Sequence, residues 1–187
     1  MRLQTLLLPL AALFMSVLSA QTPVSIPIIN AIFQDDTLDC SPGCSYANLT
    51  GWVVGPQTGV FKASTAQYPS APASGLYVAY LGNTDATGSI LQTLSATVQA
   101  NTTYTLTLGV GARADSPFTG YLASLMAGNV TVASSNKATP VGGTFVSDVI
   151  EYNSGATPAQ LGQRLQIFVK SLGSGQVNIA KVTLTRQ

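Results

Sequence analysis

The chain has 187 residues, and only 8% of them are charged: eight Lys and Arg against seven Asp and Glu, with a formal net charge of +1. Because these charges form no cluster of either sign, an electrostatic site for nucleic acid or for an anionic membrane is excluded. The sequence contains no His, which removes the usual general base, the usual zinc ligand and every Ser-His or Cys-His nucleophile arrangement.

Residues 1–20 have the pattern of a secretory signal peptide. The segment MRLQTLLLPLAALFMSVLSA begins with the basic Arg2, continues as an apolar run to Leu18 and ends in small residues at Ala20. We therefore expect a secreted, cell-surface or periplasmic protein whose mature part, residues 21–187, is a single domain. No second long apolar segment and no C-terminal sorting tail follow in the sequence, so no membrane anchor is expected.

The first predicted strand is VSIPIINAIF, Val24 to Phe33, which is rich in β-branched residues. A loop over residues 34–50 follows, and then GWVV and GVFK are predicted as two short strands around GPQT. The Pro- and Ser-rich stretch STAQYPSAPASG is predicted as a loop that leads into the strand LYVAYLG.

The loop over residues 34–50 contains both cysteines of the chain. In DCSPGCS, the turn dipeptide Pro42-Gly43 folds the chain back and brings Cys40 and Cys44 together. A disulfide is the favoured state of such a pair in an exported protein. The closed loop is short, so the bridge is expected to stabilise the loop more than the whole fold. The alternative is a redox or metal role, but this pair supplies only two soft ligands in a chain without His.

The two longest alternating runs lie between Leu91 and Asp115, in LQTLSATVQANTTYTLTLGVGARAD. We predict that they pair as a hairpin through the turn QANTT. Their apolar faces are predicted to contribute to the core. The core residues predicted in this way are Leu94, Val98, Tyr104, Leu106 and Leu108.

Five further segments continue the strand pattern, each bounded by Gly, Pro, Asn or Ser. They are TGYLASLMAG, VTVASS, GTFVSDVIEYN, RLQIFVKS and QVNIAKVTLT. Only TPAQLGQ, residues 157–163, has the pattern of a helical turn. Roughly ten or eleven strands with almost no helix predict an all-β fold, a two-sheet antiparallel β-sandwich of the jelly-roll type.

Several of these segments resemble the galactose-binding-like jelly rolls of secreted bacterial carbohydrate-binding modules. SILQTLSATVQANTTYTLTLGVGAR resembles the central hairpin of that family, IINAIFQDDTL its opening strand, GWVV its Gly-Trp strand and QVNIAKVTL its closing strand. The resemblance covers nearly the whole mature chain. It implies a jelly roll and the binding of a glycan or of another extracellular polymer.

Many members of that family hold a structural calcium ion through a Glu after Phe in the first strand and an Asp in the closing strand. Here those positions are Gln34 and Ala180. Calcium prefers hard, anionic oxygen ligands, so we predict no high-affinity calcium site, no other metal and no cofactor. Asp35, Asp36 and backbone carbonyl groups are the oxygen ligands that remain in this region.

Carboxylates are the main catalytic groups that remain in a chain without His, and a glycosidase would need two of them at a defined separation. Asp35, Asp36 and Asp39 lie in one early loop, and the other acidic residues show no pairing by their spacing. Each fits a turn, a cap or a solvated strand position better than an acid catalyst. We therefore predict that the protein is not an enzyme.

A sugar-binding surface needs an aromatic face with planar hydrogen-bonding groups beside it. Trp52 lies on a short strand and is predicted to belong to the core, whereas Tyr68 lies in a Pro-rich loop and is expected to be exposed. Arg113 ends a strand, where a lone cation needs either an acidic partner such as Asp115 or a ligand, and both interpretations remain open. The predicted ligand-binding residues are Tyr68, Tyr80, Arg113, Asp115, Phe118 and Tyr121.

Two functions agree with this sequence. The first is an exported, non-catalytic module that binds carbohydrate or another extracellular polymer. The alternative is a structural or adhesive protein of the cell surface or matrix, which has no small-molecule ligand and associates through sheet edges and a low-charge Thr/Ser surface. The sequence makes no prediction about the oligomeric state.

Overall fold

The computed structural model describes residues 22–83 and 87–187, so the predicted signal peptide, residues 1–20, lies outside the described residues. The described residues form strands and their connections. In chain order the strands are β1 (Val24–Ile26), β2 (Cys44–Tyr46), β3 (Val53–Val54), β4 (Thr58–Ala63), β5 (Leu76–Leu81), β6 (Ser89–Thr97), β7 (Thr103–Ala112), β8 (Tyr121–Ala127), β9 (Val130–Ser135), β10 (Thr144–Asn153), β11 (Arg164–Ser171) and β12 (Val177–Arg186). Over the described ranges, we find no helix with the length and apolar character to cross a membrane.

The strands form two antiparallel sheets. Sheet A has the order β10-β7-β12-β5-β4-β2, and its seventh strand, β1, pairs with the C-terminal part of β12. Sheet B has five strands in the order β3-β6-β11-β8-β9. The two sheets pack face to face around one core, which confirms the predicted all-β, two-sheet antiparallel sandwich.

The core lies between the sheets and is built from the inward face of each strand. Along β7, every second side chain from Tyr104 to Val110 is fully buried, as the period of two in a strand requires. Trp52 also lies in this core, in a tilted contact with Phe33 at 5.9 Å between ring centroids. The predicted core residues are all buried: Leu94, Val98, Tyr104, Leu106 and Leu108.

The predicted hairpin of the two longest runs is wrong, because its strands lie in different sheets. β6 pairs with β11 in sheet B, whereas β7 pairs with β10 and β12 in sheet A. The connection over residues 98–102 crosses between the sheets, and the Tyr104 phenol fixes it. The Tyr104 oxygen accepts a hydrogen bond from Gln99 N at 2.8 Å and donates one to Thr97 O at 3.2 Å.

The predicted first strand, Val24 to Phe33, is too long, because only its first three residues form β1. Pro27 follows directly, and the chain then turns at Asn30 and Phe33, whose φ angles are +50° and +60°. The Phe33 side chain is fully buried. Phe33 therefore enters the core from a turn instead of from an extended strand.

The segment over residues 157–163, predicted as a helical turn, contains no helix. Leu161 N donates to Pro158 O at 3.1 Å and Gln163 N donates to Gln160 O at 3.0 Å, which makes two tight turns in succession. Gly162 has a φ of +75°, and this left-handed conformation ends the right-handed path before a helical hydrogen bond can form.

Cys40 and Cys44 form a disulfide, as predicted. Their Cα atoms are 6.5 Å apart, and within the bridged turn Gly43 N donates a hydrogen bond to Lys62 O of β4 at 2.6 Å. The bridge encloses few residues, so it stabilises this turn at the edge of sheet A more than the sandwich as a whole.

Candidate functional site

The outer face of sheet A, which points away from sheet B, carries a second apolar cluster. We call it the outer-face cluster, and its members are Phe61, Ala63, Tyr68, Val78 and Phe145. The loop over residues 64–75 brings Tyr68 onto the sheet, while the other members lie on strands. The outer face of an antiparallel sheet is commonly polar and solvated, so the packing of the two sheets does not explain this cluster.

Phe145 lies on the outer face, and a glycine on the neighbouring strand leaves room for its ring. In the register of β10 and β7, Phe145 lies opposite Gly111, and a Cβ atom at Gly111 would overlap the Phe145 ring. The ring also stacks on Tyr68, with 4.4 Å between ring centroids and 25° between ring planes. The two rings form an apolar wall on the outer face.

A buried polar pair lies behind the stacked rings. The Tyr68 phenol donates a hydrogen bond to Asn178 Oδ1 at 2.7 Å, and the two residues are only 1% and 0% exposed. Asn178 Nδ2 has acceptors only at 3.4 to 3.5 Å, which is long for a hydrogen bond. Burial raises the pKa of Tyr68, although the positive charge of Arg113 acts in the opposite direction. The phenol therefore remains protonated and acts as a donor.

Arg113 is held by an ion pair and by a neighbouring amide. Its Nε and Nη2 donate to the two carboxylate oxygens of Asp115 at 2.7 and 2.8 Å, and Nη1 donates to Gln176 Oε1 at 2.8 Å. The guanidinium lies 4.9 Å from the centroid of the Phe61 ring. The hydrogen bond from Arg113 lowers the pKa of Asp115 to about 2, against the opposing effect of desolvation. Of the two interpretations of Arg113, the structure contains the ion pair.

A groove of about 260 Å³ lies on the same outer face. Its lining residues are Thr107, Gly109, Ser147, Lys181 and Thr183. Ser147 follows Phe145 by two positions on β10, so both side chains leave the same face of the strand. The groove is therefore a neighbour of the apolar wall, and it carries hydroxyl groups and one ammonium group on its sides.

Gly109 forms the floor of this groove. It lies opposite Ser147, just as Gly111 lies opposite Phe145. A Cβ atom at Gly109 would meet only the Ala180 Cβ atom at 3.5 Å and a backbone nitrogen at 3.7 Å, both in ordinary contact. The space above Gly111 is filled by the Phe145 ring, whereas the equivalent space above Gly109 is open.

A β-bulge in β12 brings Lys181 to the groove. The register of β12 with β7 shifts between Ile179 and Val182, and both of these side chains are buried in the core. The two residues between them, Ala180 and Lys181, therefore lie on the outer side of the strand. Without this extra residue, the alternation of β12 would turn Lys181 into the core.

A second buried polar group, which we call the Asp148 cluster, lies between the sheets and consists of Tyr121, Ser135 and Asp148. The Tyr121 phenol and the Ser135 hydroxyl each donate to the Asp148 carboxylate, the latter at 2.9 Å. Ala138 N donates to the Tyr121 oxygen at 3.0 Å. Burial and then the hydrogen bond to Asp148 raise the pKa of Tyr121. This cluster fixes the connection between β9 and β10 and takes no part in the groove.

Four of the six predicted ligand-binding residues lie together at the outer-face cluster. They are Tyr68, Tyr80, Arg113 and Asp115. The expectation that Tyr68 is exposed is wrong, because the loop folds the ring onto the sheet and Phe145 covers it. The Tyr80 side chain is partly buried against the cluster, and burial raises its pKa.

The other two predicted residues lie on the opposite side of sheet A. Tyr121 is fully buried between the sheets, and the Phe118 ring packs on the same core with its centroid 6.4 Å from that of Tyr121. Several residues that shape the site were not predicted from the sequence. The glycines in TLTLGVGAR were a usable signal, because a glycine inside a strand often marks a place where a ligand or another part of the chain comes close to the backbone. The missed residues are Gly109, Gly111, Phe145, Ser147, Asn178, Lys181 and Thr183.

A larger cavity, of about 420 Å³, lies where β1 begins and β12 ends. Its lining residues are Thr22, Val24, Gln99, Thr102, Arg186 and Gln187. Neither cavity has an aromatic side chain among its lining residues, but the smaller groove lies on the outer face next to the Phe145 ring. We therefore place the candidate site at the smaller groove, where apolar, hydroxyl and cationic groups meet.

The residues of the early loop do not fit a calcium ion. The Asp36 carboxylate accepts hydrogen bonds from Asn30 Nδ2, Thr50 N and Thr50 Oγ1 at 2.6 to 2.9 Å, so its oxygens already face donors. Ala180 packs against the outer-face cluster. Within residues 22–83 and 87–187, no three or more His, Cys, Asp or Glu side chains gather in a group that could hold a metal ion.

We expect calcium to leave the thermal stability of the protein unchanged. A ligand raises Tm only through binding to the native state, and the Asp36 oxygens are occupied by protein donors. Calorimetric scans with excess calcium and with EDTA should give the same Tm, while Asp36→Asn should lower Tm equally under both conditions. Stoichiometric calcium in metal analysis of the purified protein would contradict this prediction.

Residues 24–185 match the HpiC1-like family, described as HpiC1 cyclase. Among solved structures, the Stig cyclase Fisc from Fischerella sp. TAU, in complex with (3Z)-3-(1-methyl-2-pyrrolidinylidene)-3H-indole, is 25% identical with a TM-score of 0.78, over 89% of this chain and 98% of that chain. A cyclase of the same source, in complex with 4-(1H-indol-3-yl)butan-2-one, is 26% identical with a TM-score of 0.75, over 88% and 98%. No curated protein matches the chain.

A more distant structure bears on the fold alone. The CBM22-1 xylan-binding domain from Paenibacillus barcinonensis Xyn10C is 12% identical with a TM-score of 0.50, over 78% of this chain and 96% of that chain. The jelly-roll architecture expected from the resemblance to carbohydrate-binding modules is therefore confirmed. At this level of identity the likeness says nothing about a glycan ligand.

The family match contradicts the predicted function. A cyclase is catalytic, so the prediction of a non-catalytic binding module and the prediction that the protein is not an enzyme are both wrong; a purely structural or adhesive role is contradicted as well. The physical reason is that the absence of His excludes only reactions that need an imidazole. A cyclisation can be catalysed without an imidazole, by holding the substrate in the conformation that reacts. The chain belongs to the HpiC1-like family of cyclases.

Proposed function

We propose that the chain is a cyclase that closes a ring in an aromatic, indole-like substrate bound in the groove on the outer face of sheet A. The indole compounds bound to two related cyclases support an aromatic substrate. One observation carries the placement in this chain: the open space above Gly109, directly beside the position of the Phe145 ring.

Two glycines on the outer face of β7, Gly109 and Gly111, leave space for aromatic rings on the sheet. Gly111 makes room for the ring of Phe145, which lies on the strand and stacks on Tyr68. A substrate ring can lie above Gly109 in the same manner, with Phe145 beside it. A pair of neighbouring aromatic rings contributes about 0.5 to 1.5 kcal/mol to binding beyond the contribution of the apolar surface that it buries.

The proposed catalytic contribution is positional. Ring closure joins two atoms of the same molecule, so a site that holds the substrate folded removes much of the entropic part of the barrier. Phe145 supplies an apolar wall, and the hydroxyl groups of Thr107, Ser147 and Thr183 supply hydrogen bonds for polar groups of the substrate. Tyr68 supports Phe145 from behind and is therefore a positioning residue.

Gly109→Val is expected to weaken the binding of 4-(1H-indol-3-yl)butan-2-one at least about tenfold, which corresponds to about 1.4 kcal/mol. The valine side chain occupies the space in which the ring is proposed to lie. The fold should persist, because the Cβ atom at this position meets Ala180 only in ordinary contact and valine favours strands. Titration calorimetry measures the affinity, and thermal unfolding confirms the fold.

Gly109→Ala adds a smaller side chain at the same place. Its affinity for the ketone should lie between that of the wild type and that of Gly109→Val. Thr105→Val is the matched control, because Thr105 lies on the same face of β7, four residues from Gly109 and outside the groove. The proposal is wrong if Gly109→Val binds the ketone as tightly as the wild type does.

We also propose that the enzyme is exported. Two features support export: the signal-peptide pattern of residues 1–20 and the disulfide between Cys40 and Cys44, since disulfides persist in oxidising compartments and are rare in the cytosol.

A further inference from the structure

The groove contains one charged side chain, Lys181, and its placement requires the β-bulge in β12. Lys181 is exposed. Among residues 22–83 and 87–187, the one ion pair is that of Arg113 with Asp115, so no described carboxylate lies within 4.0 Å of the Lys181 ammonium. Bulges next to binding sites commonly re-aim a side chain, and here the bulge gives the groove a cation that has no described acidic partner.

The rest of the groove lining also favours an anionic oxygen ligand. The hydroxyl groups of Thr107, Ser147 and Thr183 can donate hydrogen bonds, and no acidic side chain is among the lining residues. On β10 the nearest acidic residue of the same face is Glu151, four residues beyond Ser147 and opposite Thr105. An ammonium group with several hydroxyl donors and no carboxylate between them is suited to a carboxylate ligand.

We infer that the substrate carries a carboxylate on a short chain attached to its aromatic ring, and that Lys181 binds this carboxylate. This inference rests on the proposed function, because the ring is placed above Gly109. The Lys181 backbone nitrogen lies 3.7 Å from the Cβ position of Gly109. The space proposed for the ring is therefore next to the residue that carries the ammonium group. Ser147, opposite Gly109, is the hydroxyl donor across the groove.

A matched pair of probes tests the inference. The neutral probe is 4-(1H-indol-3-yl)butan-2-one, and the anionic probe is 3-(1H-indol-3-yl)propanoate, in which a carboxylate replaces the acetyl group at the same distance from the ring. Titration calorimetry on the wild type should give an affinity for the propanoate about tenfold higher than for the ketone, because one charge-assisted hydrogen bond contributes roughly this much. The advantage should shrink as the salt concentration rises.

Lys181→Met is the decisive variant, because it keeps the length and apolar stem of the side chain but removes its charge. It should reduce the propanoate affinity to that of the ketone and leave the ketone affinity unchanged, while Lys181→Arg should keep most of the preference. Lys170→Met, on β11 of sheet B, is the control and should change neither affinity. Lys181 is exposed, so these variants should fold normally.

The outcomes separate the inference from the proposed function. Equal affinities of the wild type for both probes, or a preference that survives Lys181→Met, overturn the role of Lys181 while the aromatic site stands. Ketone binding that Gly109→Val abolishes supports the aromatic site independently of Lys181. Failure of both probes to bind overturns the aromatic site and the carboxylate site together.

Discussion

Asp148→Ala is expected to lower the free energy of unfolding by about 2 to 3 kcal/mol. The Tyr121 phenol and the Ser135 hydroxyl both donate to the Asp148 carboxylate, and all three residues are buried. Alanine would leave two hydroxyl groups in the interior without their acceptor, and each such group costs about 1 to 3 kcal/mol. The substitution also removes a carboxylate whose burial costs desolvation free energy, and this gain offsets part of the loss. Urea denaturation followed by circular dichroism measures the change.

In a chain of this size, the same change should lower Tm by roughly 5 to 10 °C. Glu151→Ala is the control, because Glu151 lies on the same strand but is exposed, and it should change the free energy by less than about 0.5 kcal/mol. Tyr121→Phe and Ser135→Ala each remove one donor and should cost less than Asp148→Ala. A loss below about 0.5 kcal/mol for Asp148→Ala would show that the Asp148 cluster contributes little.

The second large effect is a steep loss of stability in alkali. Burial raises the pKa of both Tyr68 and Tyr121 above the ordinary value of 10.0. Above pH 10 the unfolded chain loses these two protons while the folded chain keeps them, so the unfolded state is favoured as pH rises. Each tyrosine then lowers the free energy of unfolding by about 1.4 kcal/mol per pH unit, and the two together by about 2.7.

This contribution is fully present below pH 10 and is lost progressively as the pH rises toward the folded-state values. Urea denaturation at a series of pH values between about 9 and 12 gives the slope directly. Tyr68→Phe and Tyr121→Phe should each remove about half of the slope, whatever they cost at pH 7. The assignment fails if the double variant loses stability in alkali as steeply as the wild type.

The sequence predicted the interior of the fold well and its pairing poorly. The alternation in β6 and β7 identified Leu94, Leu106 and their neighbours correctly, because burial on one face is a local property of a strand. The same alternation does not reveal the partner strand. Two strands that face each other across a core have the same pattern as two strands of one hairpin, so the predicted hairpin of β6 and β7 could not be distinguished from the observed crossing.

The site was predicted only in part, for a related reason. Tyr68 and Arg113 were recognisable as residues without an obvious place in a strand core. Gly109 was not, because its importance depends on the missing side chain and on Phe145, which lies on another strand. Lys181 requires the β-bulge, and one extra residue within QVNIAKVTLT leaves no trace in the composition of the segment.

The error about function has a chemical cause. The absence of His and the lack of an evident carboxylate pair argue against catalysis that depends on those groups. They do not argue against catalysis by positioning, which needs a shaped surface more than a titrating group. The surface that we propose for this role is made by two glycines and an aromatic wall, and none of these residues marks a catalytic site by its chemical type.

The place of β12 in sheet A has a consequence for how the chain folds. β12 is the last strand in the part of the chain that the structure describes, yet it lies in the interior of the sheet, with β7 on one side and both β5 and β1 on the other. Without β12, the other strands of sheet A form three separate pieces, which are β10 with β7, β5 with β4 and β2, and β1 alone. Completion of sheet A therefore depends on the slow pairing of β12 with segments far from it in the sequence.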